Sequence, residues 1–234
     1  MEIHPYWMGM IQRKPKCSSR KQLLAVATCS SLMALLDDLF PGINSVSNGL
    51  PKWADPNRPW NILADGSMGL ESQIRDLEGN EEGIVIHPSA SIGNDVEIEP
   101  PTFIGPMAEI RHGAYLRKGS WICEGAIVGH SSEVKNSLLM PGSKAPHFNY
   151  VGDSILGFGS NIGAGVKLAN VRNDSREIVI QLEDGSWEKT GLRKLGALIG
   201  DNCKIGCNVV TNPGTIISPG HMIGPNETVS GWIS

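Results

Sequence analysis

The stretch from Ile86 to Ile122 reads IHPSASIGNDVEIEPPTFIGPMAEIRHGAYLRKGSWI. An aliphatic residue recurs at every sixth position, and the series continues without a miss to Met140. A small residue stands four positions after each of the first eight, from Ala90 to Ser132. A period of six matches neither an α-helix, at 3.6 residues, nor a strand, at two. It predicts a β-helix in which three six-residue faces close a triangular coil, with the aliphatic residues inside and the small ones at the corners.

The register slips after Met140, and the repeat then returns in two further blocks. These inward positions are Leu156, Ile162, Leu168, Ile199, Ile205, Thr211, Ile217, Ile223 and Val229, of which only Thr211 is polar. The two interruptions, 141–151 and 169–198, predict loops on the outer surface, where such folds often bind ligands. In the second interruption, Asp184-Gly185 separates the strand-like runs 178–182 and 186–189. We expect a β-hairpin with a two-residue type I′ turn, projecting from the coil.

Composition agrees with a narrow, tightly turning solenoid. The chain has 28 glycines in 234 residues and only 19% charged residues. Its net charge of −4 gives no electrostatic footprint for nucleic acid. Five scattered cysteines suggest no disulfide framework, and Cys203 and Cys207 lack the second ligand pair of a zinc site. We therefore expect reduced thiols, a cytoplasmic protein and no metal.

Residues 1–82 lack the repeat, so we divide the chain into an N-terminal extension, 1–82, and a β-helix domain, 83–234. The largely apolar stretch 23–36 is too short to span a membrane, which takes about 20 residues. It suits a helical stripe of Leu24, Leu32, Leu35, Leu36 and Leu39 that ends at Pro41-Gly42. A second helix is predicted through Leu70, Ile74 and Leu77, ending at Gly79. We expect these helices to cap the open end of the solenoid.

Arg117 and Lys135 are eighteen residues apart, and each follows an inward aliphatic residue. Residues one coil apart stack at about 4.8 Å, where two like charges repel by roughly 3 kcal/mol at an effective dielectric constant near 20. A phosphate between them would turn that repulsion into attraction. The alternative is two solvated side chains that lean apart.

Three histidines are candidate functional residues. His112 and His130 share a repeat position eighteen residues apart, and stacked histidines can supply two corners of an intersubunit zinc site. This spacing resembles the γ-class carbonic anhydrases, although no third histidine continues the pattern. His147 lies in the first interruption, and histidine is the residue type that most often serves as a general base at neutral pH. Its spacing alone equally suits a histidine that only hydrogen-bonds its own loop.

Four longer motifs are more specific: Glu-Val-Lys-Asn-Ser at 133–137, Ser-Lys-Ala-Pro-His at 143–147, Tyr-Val-Gly-Asp at 150–153 and Asn-Ile-Gly-Ala-Gly at 161–165. They resemble the acetyltransferase domain of bifunctional N-acetylglucosamine-1-phosphate uridyltransferases. Pro-His-Phe-Asn-Tyr, Leu-Ala-Asn-Val-Arg and Arg-Lys-Leu-Gly-Ala-Leu-Ile-Gly-Asp are closer to the archaeal-like sugar-1-phosphate nucleotidylyltransferase branch. The resemblance covers roughly residues 82–224.

This resemblance implies a left-handed parallel β-helix, a homotrimer with active sites between subunits, and acetyl-CoA as co-substrate. The implied reaction is N-acetylation of an amino-sugar 1-phosphate in UDP-N-acetylglucosamine or related nucleotide-sugar synthesis. His147 matches the catalytic base. The remaining matched positions are substrate contacts at Arg117, Lys135, Tyr150, Asn161, Asn170 and Lys194, and cofactor contacts at Ala164, Cys207 and Pro225.

The chain also departs from that family. Residues 1–82 contain no Gly-rich nucleotide-binding fingerprint, so we expect no nucleotidyl transfer by this chain. Cys207 replaces a serine usual in one branch, and the sequence ends at Ser234 without the family's C-terminal arm. Two other functions stay open: a γ-carbonic-anhydrase-like zinc lyase, and a catalytically silent hexapeptide-repeat scaffold.

Overall fold

The structure, a computed structural model, describes residues 34–77 and 83–234. Residues from Ile84 onward form a parallel β-helix in which three sheets, here called A, B and C, each receive one strand per coil. Sheet A consists of β1 (Ile84–Ile86), β4 (Thr102–Ile104), β7 (Ser120–Ile122), β10 (Leu138–Leu139), β13 (Ile155–Leu156), β18 (Ala197–Ile199), β21 (Thr215–Ile217) and β24 (Trp232–Ile233). The predicted fold class, an all-β solenoid with a helical N-terminal segment, is confirmed.

Sheets B and C complete each coil. Sheet B consists of β2 (Ser91–Ile92), β5 (Glu109–Ile110), β8 (Ile127–His130), β11 (Lys144–His147), β14 (Asn161–Ile162), β19 (Lys204–Ile205) and β22 (Met222–Ile223). Sheet C consists of β3 (Glu97–Ile98), β6 (Tyr115–Leu116), β9 (Glu133–Lys135), β12 (Tyr150–Gly152), β15 (Lys167–Leu168), β20 (Val210–Thr211) and β23 (Thr228–Val229). The repeat residues of all three sheets, such as Ile104, Ile110 and Leu116, pack into one buried interior.

The first predicted interruption, 141–151, is not a loop. It forms β11 and β12, whose Ala145 and Val151 point inward. The register slips because two successive coils are one residue short: Trp121 pairs with Leu138 and Leu138 with Ile155, each seventeen residues later. Leu139 therefore takes the inward position that the repeat assigned to Met140, and Met140 packs on the outside.

The second interruption is an insertion, as predicted, and it contains the hairpin β16 (Val179–Gln181) and β17 (Trp187–Lys189). The two-residue turn was wrong. Leu182 N donates to Ser186 O, and within the turn only Gly185 has positive φ, which is the pattern of a three-residue loop with a bulge. The hairpin does not project either, because Ile178 and Ile180 are buried on the outer face of sheet A.

The N-terminal segment also lies along the outer face of sheet A. It comprises α1 (Leu35–Leu39), 3₁₀ helices at Pro41–Ser45 and Pro59–Leu63, and α2 (Leu70–Arg75). Its apolar side chains pack against the outward residues Val85, Phe103, Trp121, Leu138, Ile155, Leu198 and Ile216. Each large side chain buried this way contributes about 1.5–3 kcal/mol. The segment thus covers a side of the column, not its open end as predicted.

At the N-terminal end of the column, the side chains of Ile86 and Ile92 in the first coil are 37% and 39% exposed. None of the described residues covers them fully. The predicted first helix begins at Leu35 in the described chain, since Leu24 and Leu32 lie outside the described residues. The second helix ends at Arg75, short of Leu77, and Gly79 is likewise outside the described residues. Within 34–77 and 83–234, no helix has the length and apolar character needed to cross a bilayer.

Candidate active site

Lys135 and Asp153 form an ion pair at the corner where sheet C leads into sheet A, here called the CA corner. Lys135 ends β9, and Asp153 directly follows β12 in the next coil. Lys135 Nζ lies 3.1 Å from each carboxylate oxygen of Asp153, and the two side chains are only 12% and 4% exposed. Removing one partner of so shielded a pair leaves an uncompensated buried charge.

Two amides share the same carboxylate. Asn136 Nδ2 donates to Asp153 Oδ1 at 2.9 Å, and Asn170 Nδ2 donates to Oδ2. Asn136 and Asp153 have φ of 43° and 45°, a conformation that Asn and Asp adopt more readily than most residues. These two residues with left-handed backbone conformation lie in the turns where the coils are one residue short. Asp153 thereby fixes Lys135 and Asn170, both predicted substrate contacts.

Arg117 stacks one coil below Lys135, as its spacing predicted, since Leu116 pairs with Val134. Its guanidinium already has a partner: Nη1 lies 2.8 Å from Glu133 Oε1. Both cations of the predicted ladder therefore have a carboxylate within the chain, which offsets the repulsion that suggested a bound anion. The side chains of Arg117 and Glu133 are each 34% exposed, so this pair is worth at most about 1 kcal/mol.

Tyr150 joins the same group of side chains. Its hydroxyl donates to Asn170 Oδ1 at 3.4 Å. Burial raises the pKa of the Tyr150 phenol, and the carboxylates of Glu133 and Asp153 raise it further. Lys194, which forms an isolated antiparallel bridge with Val171, lines a cavity that it shares with Lys135 and Asp153. Five of the six predicted substrate contacts thus lie on sheet C or at the CA corner.

His147 lies at the preceding corner of the coil, where sheet B leads into sheet C, here called the BC corner. It is the exposed last residue of β11, and its ring makes no hydrogen bond to the described residues. Its backbone N–H donates to Asn149 Oδ1 at 3.0 Å, and Asn149 Nδ2 donates to Gly163 O at 2.6 Å. Asn149 thus fixes the main chain around His147 and does not contact its ring.

Gly129 allows this strand to sit where it does. A Cβ at Gly129 would lie 1.5 Å from the carbonyl oxygen of Pro146, the residue before His147. No side chain can be accommodated at such a separation, so the close approach of β8 and β11 requires glycine. The position of His147 is therefore set by the backbone on both sides.

The predicted cofactor contacts continue the column of His147. The pairing of sheet B places Ala164, Cys207 and Pro225 on successive coils above it. Gly165 N donates to His147 O at 3.0 Å, Asn208 N to Ala164 O at 2.8 Å and Asn226 N to Cys207 O at 2.8 Å. The column presents one histidine ring and then small or compact side chains, of which Cys207 and Pro225 are exposed. Asn161 lies on sheet B in register with Lys144.

Below His147, the same column contains His130 and His112. Their rings are parallel within 5° with centroids 5.2 Å apart. His130 Nδ1 lies 2.8 Å from His112 O, and His112 Nδ1 lies 3.1 Å from Asn94 O. Each ring thus interacts with the backbone of the coil beneath it. Within the described chain, no group of three His, Cys, Asp or Glu side chains is arranged to hold a metal.

In one chain the predicted site residues fall into two groups, separated by the width of sheet C. His147, Asn161 and the cofactor column belong to sheet B and the BC corner, whereas Arg117, Lys135, Asn170 and Lys194 belong to the CA corner. Two residues of the site were missed, Glu133 and Asp153. Asp153 had a signal, since it stands eighteen residues after Lys135, the spacing that linked Lys135 to Arg117.

Comparison with known proteins supports the resemblance. No family model matches the chain. A bifunctional sugar-1-phosphate nucleotidylyltransferase/acetyltransferase of Sulfurisphaera tokodaii is 37% identical over 186 residues, 76% of this chain and 46% of that protein. Bifunctional protein GlmU of Methanococcus vannielii is 35% identical over 187 residues, 74% of this chain and 43% of the relative.

Among solved structures, the acetyltransferase domain of PglB from Neisseria gonorrhoeae FA1090 is 16% identical with a TM-score of 0.34, covering 64% of this chain and 50% of that one. A likeness this distant carries no statement about function. The chain spans less than half the length of the curated relatives it matches. It is nevertheless related in sequence to the bifunctional sugar-1-phosphate nucleotidylyltransferase/acetyltransferases, and the resemblance predicted from its motifs is confirmed.

Proposed function

We propose that this chain transfers the acetyl group of acetyl-CoA to the amino group of an amino-sugar 1-phosphate, in UDP-N-acetylglucosamine or related nucleotide-sugar synthesis. One observation carries the proposal. A chain related to nucleotidylyltransferase/acetyltransferases presents an exposed histidine with a fixed backbone, directly below a column of compact side chains, and its ring has no hydrogen-bond partner within 34–77 and 83–234. The CA corner adds cations suited to a phosphate.

The neutral imidazole of His147 is the general base in this proposal. The sugar nitrogen attacks the thioester carbon, and His147 accepts the proton that the nitrogen releases. The carbon–sulfur bond then breaks, and coenzyme A leaves as the thiolate. Ala164, Cys207 and Pro225 fit the co-substrate because their short side chains leave room for an extended pantetheine arm along the column above His147. Fixing the backbone through Asn149 and Gly129 reduces the motion of the base relative to its substrate.

Release of free thiol from acetyl-CoA, measured across a panel of amino-sugar phosphates, tests the function directly. The expected result is turnover with a phosphorylated amino sugar and none with the matching N-acetylated sugar. A silent scaffold would release no thiol with any member of the panel. A zinc lyase would contain stoichiometric metal and hydrate carbon dioxide, so metal analysis of the purified protein separates that alternative.

We expect the protein to assemble as a homotrimer in the cytoplasm. The proposed base and the proposed phosphate contacts lie at different corners of one coil, so one column has to place its BC corner against the CA corner of a neighbour. Light scattering at micromolar concentration should give three times the mass of the 234-residue chain. A monomer at that concentration would contradict the trimer and the shared site together.

Replacing Arg117 with Ala should raise the KM for the phosphorylated amino sugar tenfold or more. A charge-assisted hydrogen bond contributes about 1.5–3 kcal/mol, and Arg117 is exposed enough to exchange Glu133 for a phosphate. The KM for acetyl-CoA should change little. Equal use of unphosphorylated glucosamine by the parent enzyme would show that Arg117 has another role.

A further inference from the structure

The N-terminal segment and the CA corner enclose a cavity of about 550 Å³. Three parts of the chain line it. They are residues 63–65 and 71 of the N-terminal segment, residues 192–194 of the insertion, and Lys118, Lys135, Asn136 and Asp153 at the corner. This volume lies within the range of about 300–1,000 Å³ that is typical of small-molecule sites. Charged side chains make up much of the lining, so their signs and partners indicate which ligand the cavity can bind.

The N-terminal wall of this cavity is fixed to the coil. Asn136, which also contacts Asp153, donates through Nδ2 to Leu63 O at 2.9 Å. Lys118 Nζ lies 3.2 Å from Glu71 Oε1 on the other side of the wall. Leu63 and the adjacent Ile62 are buried on sheet A. The same amide therefore connects the extension to the residues around Lys135.

The four cations that line the cavity differ in their partners. Lys118 and Lys135 each have a carboxylate partner in Glu71 and Asp153. Arg193 and Lys194 are exposed, and neither forms an ion pair with any residue of 34–77 or 83–234. Their positive charge is available to a ligand at no cost to an internal pair. Arginine is also suited to phosphate through its planar, bidentate donors.

We propose that this cavity is the sugar-phosphate pocket, in which Arg193 contacts the phosphate and the N-terminal segment at Ala64 and Asp65 forms the wall against the sugar. The proposal rests on the function proposed above, and it adds Arg193 and the extension to the substrate site. The ligand class is a phosphorylated hexosamine. Arg193 and Lys194 supply positive charge for its phosphate, and Asp65 supplies an acceptor for its hydroxyl groups.

Calorimetric titration with glucosamine 1-phosphate tests the phosphate contact without requiring turnover. Arg193→Ala should raise the Kd tenfold or more, and Arg193→Lys should recover most of the affinity by restoring the charge. Arg176→Ala is the matched control, since Arg176 is an exposed arginine of the same insertion outside the cavity lining. A Kd for Arg193→Ala within twofold of the Arg176→Ala value would overturn the contact.

A large side chain introduced into the N-terminal wall of the cavity tests the role of the extension. Ala64→Trp should raise the Kd for glucosamine 1-phosphate at least tenfold, because the new ring occupies the cavity. Asn44→Trp, an exposed site of the same segment outside the cavity, should leave the Kd unchanged. Thermal melting of each variant checks the fold. Equal effects of the two Trp variants on the Kd would contradict the proposal that the extension forms a wall of the sugar pocket.

The two proposals fail in different ways. If the Arg193 and Ala64 variants weaken binding but the parent releases no thiol from acetyl-CoA, the pocket stands and the acetyl transfer falls. If the parent turns over and both variants keep its KM for the sugar phosphate, the acetyl transfer stands and the pocket falls. A parent that binds neither glucosamine 1-phosphate nor inorganic phosphate overturns the pocket.

Discussion

Replacing His147 with Ala is expected to lower kcat by a factor of 10²–10⁴. A positioned general base typically contributes that much, and the ring of His147 has no other partner among the described residues to explain its place in the site. The change should leave acetyl-CoA affinity, oligomeric mass and melting temperature close to those of the parent, because the side chain is exposed. Thiol release at saturating substrate measures kcat.

His112→Ala is the matched control for this variant. His112 is an exposed histidine in the same corner column, two coils below His147, and it is not part of the proposed machinery. Its removal should leave kcat unchanged. A His147→Ala protein with near-normal kcat would reject the proposed base, and one that fails to fold would favour a structural role for this histidine.

Replacing Lys135 with Ala is expected to lower the free energy of unfolding by about 3 kcal/mol or more. The change leaves Asp153 as a buried carboxylate without its cation, and breaking a buried pair from one side costs about 3–5 kcal/mol. The amides of Asn136 and Asn170 still donate to the Asp153 carboxylate in this variant. The expected loss of unfolding free energy therefore lies toward the lower end of that range. Chemical denaturation measures the loss.

A double-mutant cycle makes this test specific. Adding Asp153→Asn to Lys135→Ala removes the uncompensated charge, so the double variant should be more stable than Lys135→Ala alone. Arg117→Ala is the control, because its more exposed pair with Glu133 should be worth at most about 1 kcal/mol. Additive effects of the Lys135 and Asp153 changes would show that the two residues act independently.

The hexapeptide repeat predicted the coil because a narrow prism accepts only aliphatic side chains at each inward position. It failed at Met140 because Leu138, Leu139 and Met140 are all apolar, and a shift of one residue leaves no trace in such a run. The helices of the extension were predicted from local patterns, but their place was not. A signal existed, since only on sheet A is the residue just before the inward one apolar in every coil, as at Phe103, Trp121 and Leu138.

For the site, spacing correctly predicted that Arg117 and Lys135 stack. It did not predict that Glu133 and Asp153 neutralise them, because the repeat gives the order of residues along a column and not which side chains meet beside it. The pairing of His147 with Asn149 depends on the path of one tight turn, which no periodicity describes. What sequence spacing captured was the order along each column, and what it missed were contacts across a corner.

Every departure from the eighteen-residue coil falls at the CA corner. Two shortened turns pass through Asn136 and Asp153, and the long insertion leaves the column after β15 at the same edge. A third shortened turn precedes β24, because Ile233 pairs with Ile217, only sixteen residues earlier. The BC corner carries no insertion over the same coils. Changes in chain length at this one edge therefore leave the strand register of sheet B, next to the BC corner, undisturbed. Under the proposed function, sequence changes at this edge would alter the acceptor site while leaving the acetyl-CoA edge unchanged.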